Sequence, residues 1–126
     1  MLNKTLVVAR LTKDPEMRYT PSGEAVINLR LASSRYYKSK TGEKKEETCF
    51  LTAVVWGKRA ENCNTQLKKG SAVFIEGRLQ SRSWEGQDGK KNYATDLLVE
   101  DIQFMDRTKE GTSQEEPEEE TDSFMK

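Results

Sequence analysis

The sequence predicts an all-β fold: a five-stranded barrel with one helix between its third and fourth strands, followed by a disordered acidic tail. Three observations carry this. Five stretches alternate side-chain character with a period of two, the signature of half-buried strands. Only one segment has helical spacing. The hydrophobic fraction, 34%, barely exceeds the charged fraction, 33%, so the core must be thin, as in a small barrel rather than a helical bundle. A chain of 126 residues accommodates one domain of about 100 residues and a tail. The boundaries expected are 1–108 for the barrel and 109–126 for the tail.

The first strand runs from Lys4 to Thr12, with Val7, Ala9 and Leu11 on one face. Asp14-Pro15 and Pro21-Ser22-Gly23 mark turns around a short extended piece at Arg18-Tyr19, because proline forces its predecessor out of helical backbone. The second strand is Ala25 to Tyr37, with Ile27, Leu29 and Leu31 set against Val26, Asn28 and Arg30. Lys38 to Lys45 is a lysine-rich hairpin loop bending at Gly42. Glu46 to Trp56 (EETCFLTAVVW) is the third and central strand. Its small apolar face, Cys49, Leu51, Ala53 and Val55, suits a core. The opposite face carries Phe50, Thr52, Val54 and Trp56.

Lys58 to Lys69 is the helix, with Ala60, Cys63 and Leu67 forming one narrow apolar stripe. Lys68 and Lys69 suit its last turn and Gly70 the position just beyond. Ser71 to Gln80 is the fourth strand, continuing to Trp84, and Gly77 within it marks a bulge or bend. Glu85 to Lys91 forms a second hairpin tip, and Asn92 to Met105 the last strand. Three strands, a helix and two strands is the layout of the OB barrel. From Lys109 onward no periodicity survives, and glutamates, Gly111 and Pro117 predict disorder.

Charge divides the chain. Of 21 basic and 21 acidic residues, one base and seven acids fall in 110–126, which leaves 20 bases and 14 acids in 1–109. A basic body with an acidic tail suits a polyanion partner. No apolar run exceeds four residues, so no membrane association is expected. The N-terminal apolar stretch is too short for a signal peptide, which predicts a cytoplasmic protein. Cys49 and Cys63 lack metal-ligand spacing, and the chain has no histidine. No metal, no cofactor and no catalytic activity are expected: the usual general base is missing, and there is no phosphate-binding glycine motif. Acidic sets such as Glu46-Glu47 and Asp96/Glu100/Asp101 read as solvated strand edge rather than magnesium ligands, and both cysteines as buried or half-buried thiols.

What remains is a surface. Tyr37, Phe50, Trp56 and Trp84 sit on or beside strands that flank basic loops. Arg30, Arg35, Lys38, Lys44, Lys45, Lys58, Arg78, Arg82, Lys90 and Lys91 fall on the same elements. Rings interleaved with cations stack unpaired bases and neutralise phosphates, with little regard to sequence. The expectation is therefore a binder of single-stranded DNA. An RNA-binding OB module and a protein-interaction scaffold are the rival readings.

A family resemblance reinforces this. Lys4 to Leu11, Asp14-Pro15-Glu16, Arg18-Tyr19, Pro21-Ser22-Gly23, Thr41-Gly42-Glu43, Trp56-Gly57-Lys58, Lys69-Gly70 and Ile75-Glu76-Gly77 through Trp84 resemble the bacterial single-stranded DNA-binding proteins over about residues 2–106. The resemblance implies an OB-fold homotetramer, associated with the nucleoid, that protects single strands during DNA replication, recombination and repair. It maps the stacking rings onto Tyr37, Phe50, Trp56 and Trp84, and subunit pairing onto Asn3 to Val8. It also implies that the tail docks replication and repair proteins through Asp122 and Phe124. The tail departs from the family pattern: Met125 and Lys126 follow the phenylalanine, so its carboxylate is not terminal.

Overall fold

The structure is a computed structural model that describes residues 1–105; the expected tail, with Asp122 and Phe124, lies outside the described residues. The elements are β1 (Thr5–Leu11), β2 (Glu16–Tyr19), β3 (Ala25–Lys38), β4 (Lys44–Trp56), α1 (Lys58–Gln66), β5 (Ala72–Glu85) and β6 (Lys91–Phe104). Five strands close the barrel in the order β1-β5-β6-β4-β3, and β3 returns to β1. The extended piece at Arg18-Tyr19 becomes β2, a sixth strand on the free edge of β3, where Met17 faces Ile27. All neighbours are antiparallel except β4 and β6, which touch in parallel at Ala53↔Leu97 and Val54↔Leu98.

Alternation places the core. Ile27, Leu29 and Leu31 of β3 meet Ala53 and Val55 of β4, Val73 and Ile75 of β5, and Leu97 and Val99 of β6. Each large aliphatic side chain fully withdrawn from water contributes about 1.5–3 kcal/mol, and this single cluster holds the barrel. Ala60, Cys63 and Leu67 close one end of it. Gly77 sits at a register shift between β5 and β6, the bulge expected from its position.

The helix is shorter than its expected span of Lys58 to Lys69. It ends at Gln66, and Leu67 turns extended into the core. Two side chains take over the backbone donors that a longer helix would have used. Ser71 Oγ accepts the Lys68 N–H at 3.1 Å, and Asp14 Oδ1 accepts the Lys69 N–H at 2.8 Å. Gly70 then turns with φ of 93°, already outside the helix.

Both hairpins are longer than expected, because the ladder continues to Lys38↔Lys44 and Glu85↔Lys91. Only a short turn remains at each tip. At the first, the Gly42 N–H donates to the Ser39 carbonyl at 2.9 Å. The arms therefore project past the barrel core, which corrects the expectation for Cys49. It lies on the core-side face of β4 but beyond the core itself, and is exposed; Cys63 is buried. Burial pushes the Cys63 thiol up to about 11. Since the thiolate is the reactive species, a chromogenic disulfide reagent at pH 8 should titrate one thiol in the native protein and two in denaturant. The folded state holds this proton more tightly than the unfolded chain, so stability should fall as pH rises from about 9 through about 11.

Candidate nucleic-acid interface

β3 and β4 pair without interruption from Val26↔Trp56 to Lys38↔Lys44, so residue parity alone decides which face each side chain takes. Arg30, Tyr36 and Lys38 of β3 share one face with Lys44, Phe50, Thr52 and Trp56 of β4. Arg35, Tyr37, Lys45, Glu47 and Cys49 take the other. On the second arm Arg78, Gln80, Arg82 and Trp84 share a face, while Leu79 and Tyr93 take the reverse. The contact Val54↔Leu98, with Leu98 opposite Arg78, joins the two outer faces.

A groove crosses this joined surface. Its lining comes from five strands: Arg18 of β2, Asn28 and Arg30 of β3, Thr52, Val54 and Trp56 of β4, Gln80 and Arg82 of β5, and Asp96 of β6. Three guanidiniums thus face one carboxylate. Arginine suits such a place, since its planar fork matches phosphate and its face stacks on rings. A second hollow shares Arg30 and Thr52 and extends to Phe50. Phe50 is 73% exposed and Trp84 45% exposed. Large rings rarely stand so open when a core is available on the opposite face of the same strand.

The structure brings Phe50, Trp56, Trp84, Arg30, Lys38, Lys44, Arg78 and Arg82 onto the joined face, but not every expected residue. Tyr37 lies on the reverse side, where Arg35 covers its ring at 5.4 Å from the centroid. Tyr36 is the tyrosine that shares the face of Phe50 and Trp56, with the Lys44 ammonium 5.3 Å from its ring centre. Arg35 is ion-paired to Glu47 at 3.0 Å, and Lys45 approaches Glu43 at 3.5 Å, both away from the groove. Arg78 pairs with Glu100 at 3.5 Å, and Lys4 reaches the same Glu100 at 3.8 Å while bonding Glu76 at 2.6 Å. That hydrogen bond, aided by the Glu76 charge, raises the Lys4 pKa. Lys58 opens α1, Lys90 stands in the second turn, and Lys91 shares the reverse face with Tyr93. None of these three lines the groove.

Sequence reasoning did not place Tyr36, Arg18, Asn28 and Gln80 on this surface, and it read Asp96, which lines the groove, as solvated strand edge. Counting by twos from Arg30 would have found Tyr36. Arg18 depends on the pairing of β2 with β3, a nonlocal contact that no local pattern announces. Among the described residues no cluster of His, Cys, Asp and Glu could hold a metal ion, and no helix is long and apolar enough to cross a membrane.

Comparison with known proteins gives this geometry its context. Residues 2–105 match the model of the single-strand binding protein family. The chain is 46% identical over 114 residues to a single-stranded DNA-binding protein of Bacillus cereus, covering 90% of this chain and 66% of that one. It is 47% identical over 111 residues to single-stranded DNA-binding protein 3 of Listeria innocua, covering 88% and 68% respectively. The chain thus spans about two thirds of the length of these curated relatives. Among solved structures, the Plasmodium falciparum SSB complex with ssDNA superposes with a TM-score of 0.77 at 25% identity, covering 84% of this chain and 96% of that one. A deletion mutant of the single-stranded DNA binding protein from Thermus aquaticus gives 0.74 at 33% identity, covering 85% and 52%. Barrel order, groove and sequence agree: the chain belongs to the single-strand binding protein family.

Proposed function

We propose that this protein is a non-catalytic binder of single-stranded DNA with little sequence preference. One observation carries the reading: Tyr36, Phe50 and Trp56 from one arm and Trp84 from the other lie on one continuous outer face around an arginine-lined groove, while the core is already supplied by the inward residues of the barrel part of the same strands. Unpaired bases stack on such rings, and phosphates settle among the cations. Duplex DNA, whose bases are already stacked, gains little from them. The names of its relatives support the same substrate.

The wider roles follow from this reading. The protein would coat single strands during replication, recombination and repair in the bacterial cytoplasm. It would act as a homotetramer assembled partly through the outer edge of β1. Its acidic tail would recruit other proteins through Asp122 and Phe124.

Tryptophan fluorescence tests the central claim, because Trp56 and Trp84 are the only tryptophans and both face the groove side. Titration with an oligo-dT of several tens of nucleotides should quench emission strongly, and affinity should fall steeply with salt as counterions are released. A duplex of equal length should quench weakly, and an RNA oligomer no better than DNA. Tyr36→Ala should weaken binding more than Tyr37→Ala, by about tenfold if one stacked base is lost. Equal quenching by duplex, or none by either DNA, would remove the single-strand reading.

A further inference from the structure

Asp96 is out of place in a groove built for a polyanion. It is the single acid among the groove's lining residues, and its side chain is only 13% exposed. A carboxylate here repels every phosphate that passes. Its partner explains its presence. Arg82 Nε donates to Asp96 Oδ2 at 2.6 Å, and the Arg82 guanidinium lies over the Trp84 ring, 4.9 Å from its centre.

The strand register builds this arrangement. Arg82 and Trp84 are two apart on β5 and therefore share a face. Asp96 lies opposite Gln80, which makes it the diagonal neighbour of Arg82 across the ladder. The residue directly opposite Arg82 is Ala94, whose small side chain leaves the long arginine room to lie along the sheet. Arg82 is thus held at Nε by the acid and rests on the indole. Asp96 is the hydrogen-bond and ion-pair partner of Arg82, engaged through Nε, which leaves the two terminal nitrogens out of that bond.

We propose that Asp96 is a positioning residue for single-strand binding. It fixes Arg82 flat against one face of Trp84, so that the indole presents its other face to a base while the terminal nitrogens of Arg82 remain available to the adjoining phosphate. Arg82 alone would be one more flexible surface cation. Pinned by Asp96, it becomes part of the wall against which Trp84 is set. The inference rests on the single-strand reading above and adds a function for an acid that simple charge counting would assign a negative one.

Asp96→Asn separates the possibilities because it keeps the shape and removes the charge. If Asp96 merely repels DNA, the substitution tightens binding. If Asp96 positions Arg82 and Trp84, binding weakens about fivefold despite the gain in positive charge. The measurement is made in a Trp56→Phe background, where Trp84 is the sole reporter. Without DNA, Asp96→Asn should change the Trp84 emission, since a cation leaves its ring. With oligo-dT, the maximal quenching should fall. Asp96→Glu, which retains the carboxylate, should recover part of both signals. Tighter binding with unchanged DNA-free emission would overturn the proposal. Failure of the unsubstituted protein to bind oligo-dT would instead strike the single-strand reading, and the DNA-free emission of the Trp56→Phe pair would still decide whether Asp96 sets the ring.

Discussion

Alanine at both Phe50 and Trp84 is expected to weaken binding to oligo-dT by about a thousandfold while leaving the barrel folded. Base stacking on an aromatic ring contributes about 1–3 kcal/mol per base, so two rings together account for about 4 kcal/mol, or about three powers of ten in Kd. The two residues belong to different hairpins and share no contact that would couple them, so their effects should add. Neither ring is part of the core cluster, and far-UV circular dichroism and the thermal midpoint should hardly move. Fluorescence anisotropy of a labelled oligonucleotide at fixed salt measures the loss. The salt slope should stay close to that of the parent, because the phosphate-binding cations remain. A loss below tenfold would show that these rings do not carry the binding energy assigned to them.

The largest effect on stability is expected at Gly77. Its backbone is buried between Thr5 of β1 and Val99 of β6. A methyl group there would overlap the Leu98 carbonyl oxygen and stand 3.2 Å from Leu97 Cδ1. The obstacle is backbone of the partner strand, which cannot rotate aside as a side chain can. Gly77→Ala must therefore displace β6 where the bulge lets the sheet bend. A cost of about 3 kcal/mol is expected, in the range of strained core insertions. Gly89→Ala is the comparison. Its φ is 79°, but an added methyl would meet nothing within 4 Å, so the cost there is left-handed backbone alone, about 1 kcal/mol. Urea unfolding should show a much lower midpoint for Gly77→Ala at unchanged slope. Equal midpoints for the two variants would mean that the close approach is relieved without cost.

The strands were legible because alternation was strong wherever a core face existed. Ile27, Leu29 and Leu31, or Ala53 and Val55, point inward with no ambiguity, and Gly77 announced its bulge. Legibility failed where the arms leave the core. From Arg35 to Lys38 both faces are solvated, so nothing local separated Tyr36 from Tyr37, and only an unbroken count from Arg30 does so. Cys49 failed for the same reason: its parity is inward, but no interior lies behind it. The helix end was misjudged because the residues that stop it act across space, Asp14 from before β2 and Ser71 from beyond the turn. Asp96 reads from sequence as solvated strand edge, because an acid has the wrong sign for the basic surface around it.

The way the barrel closes has a consequence for its dynamics. Two long hairpins, β3–β4 and β5–β6, are each zipped along most of their length, but the seam between them on the groove side is only two parallel ladder pairs, Ala53↔Leu97 and Val54↔Leu98. The opposite closure, β1 to β3, is equally short, at Arg10↔Ala32 and Leu11↔Leu31. These seams are where local opening is expected first, since few hydrogen bonds must break to part them. The groove lies across the first seam, with Trp56 and Thr52 on one bank and Gln80, Arg82 and Asp96 on the other. A polynucleotide that grips both banks acts as a suture. Amide exchange along β4 and β6 should therefore slow on binding, even far from any atom the polynucleotide touches, and the thermal midpoint should rise with its concentration.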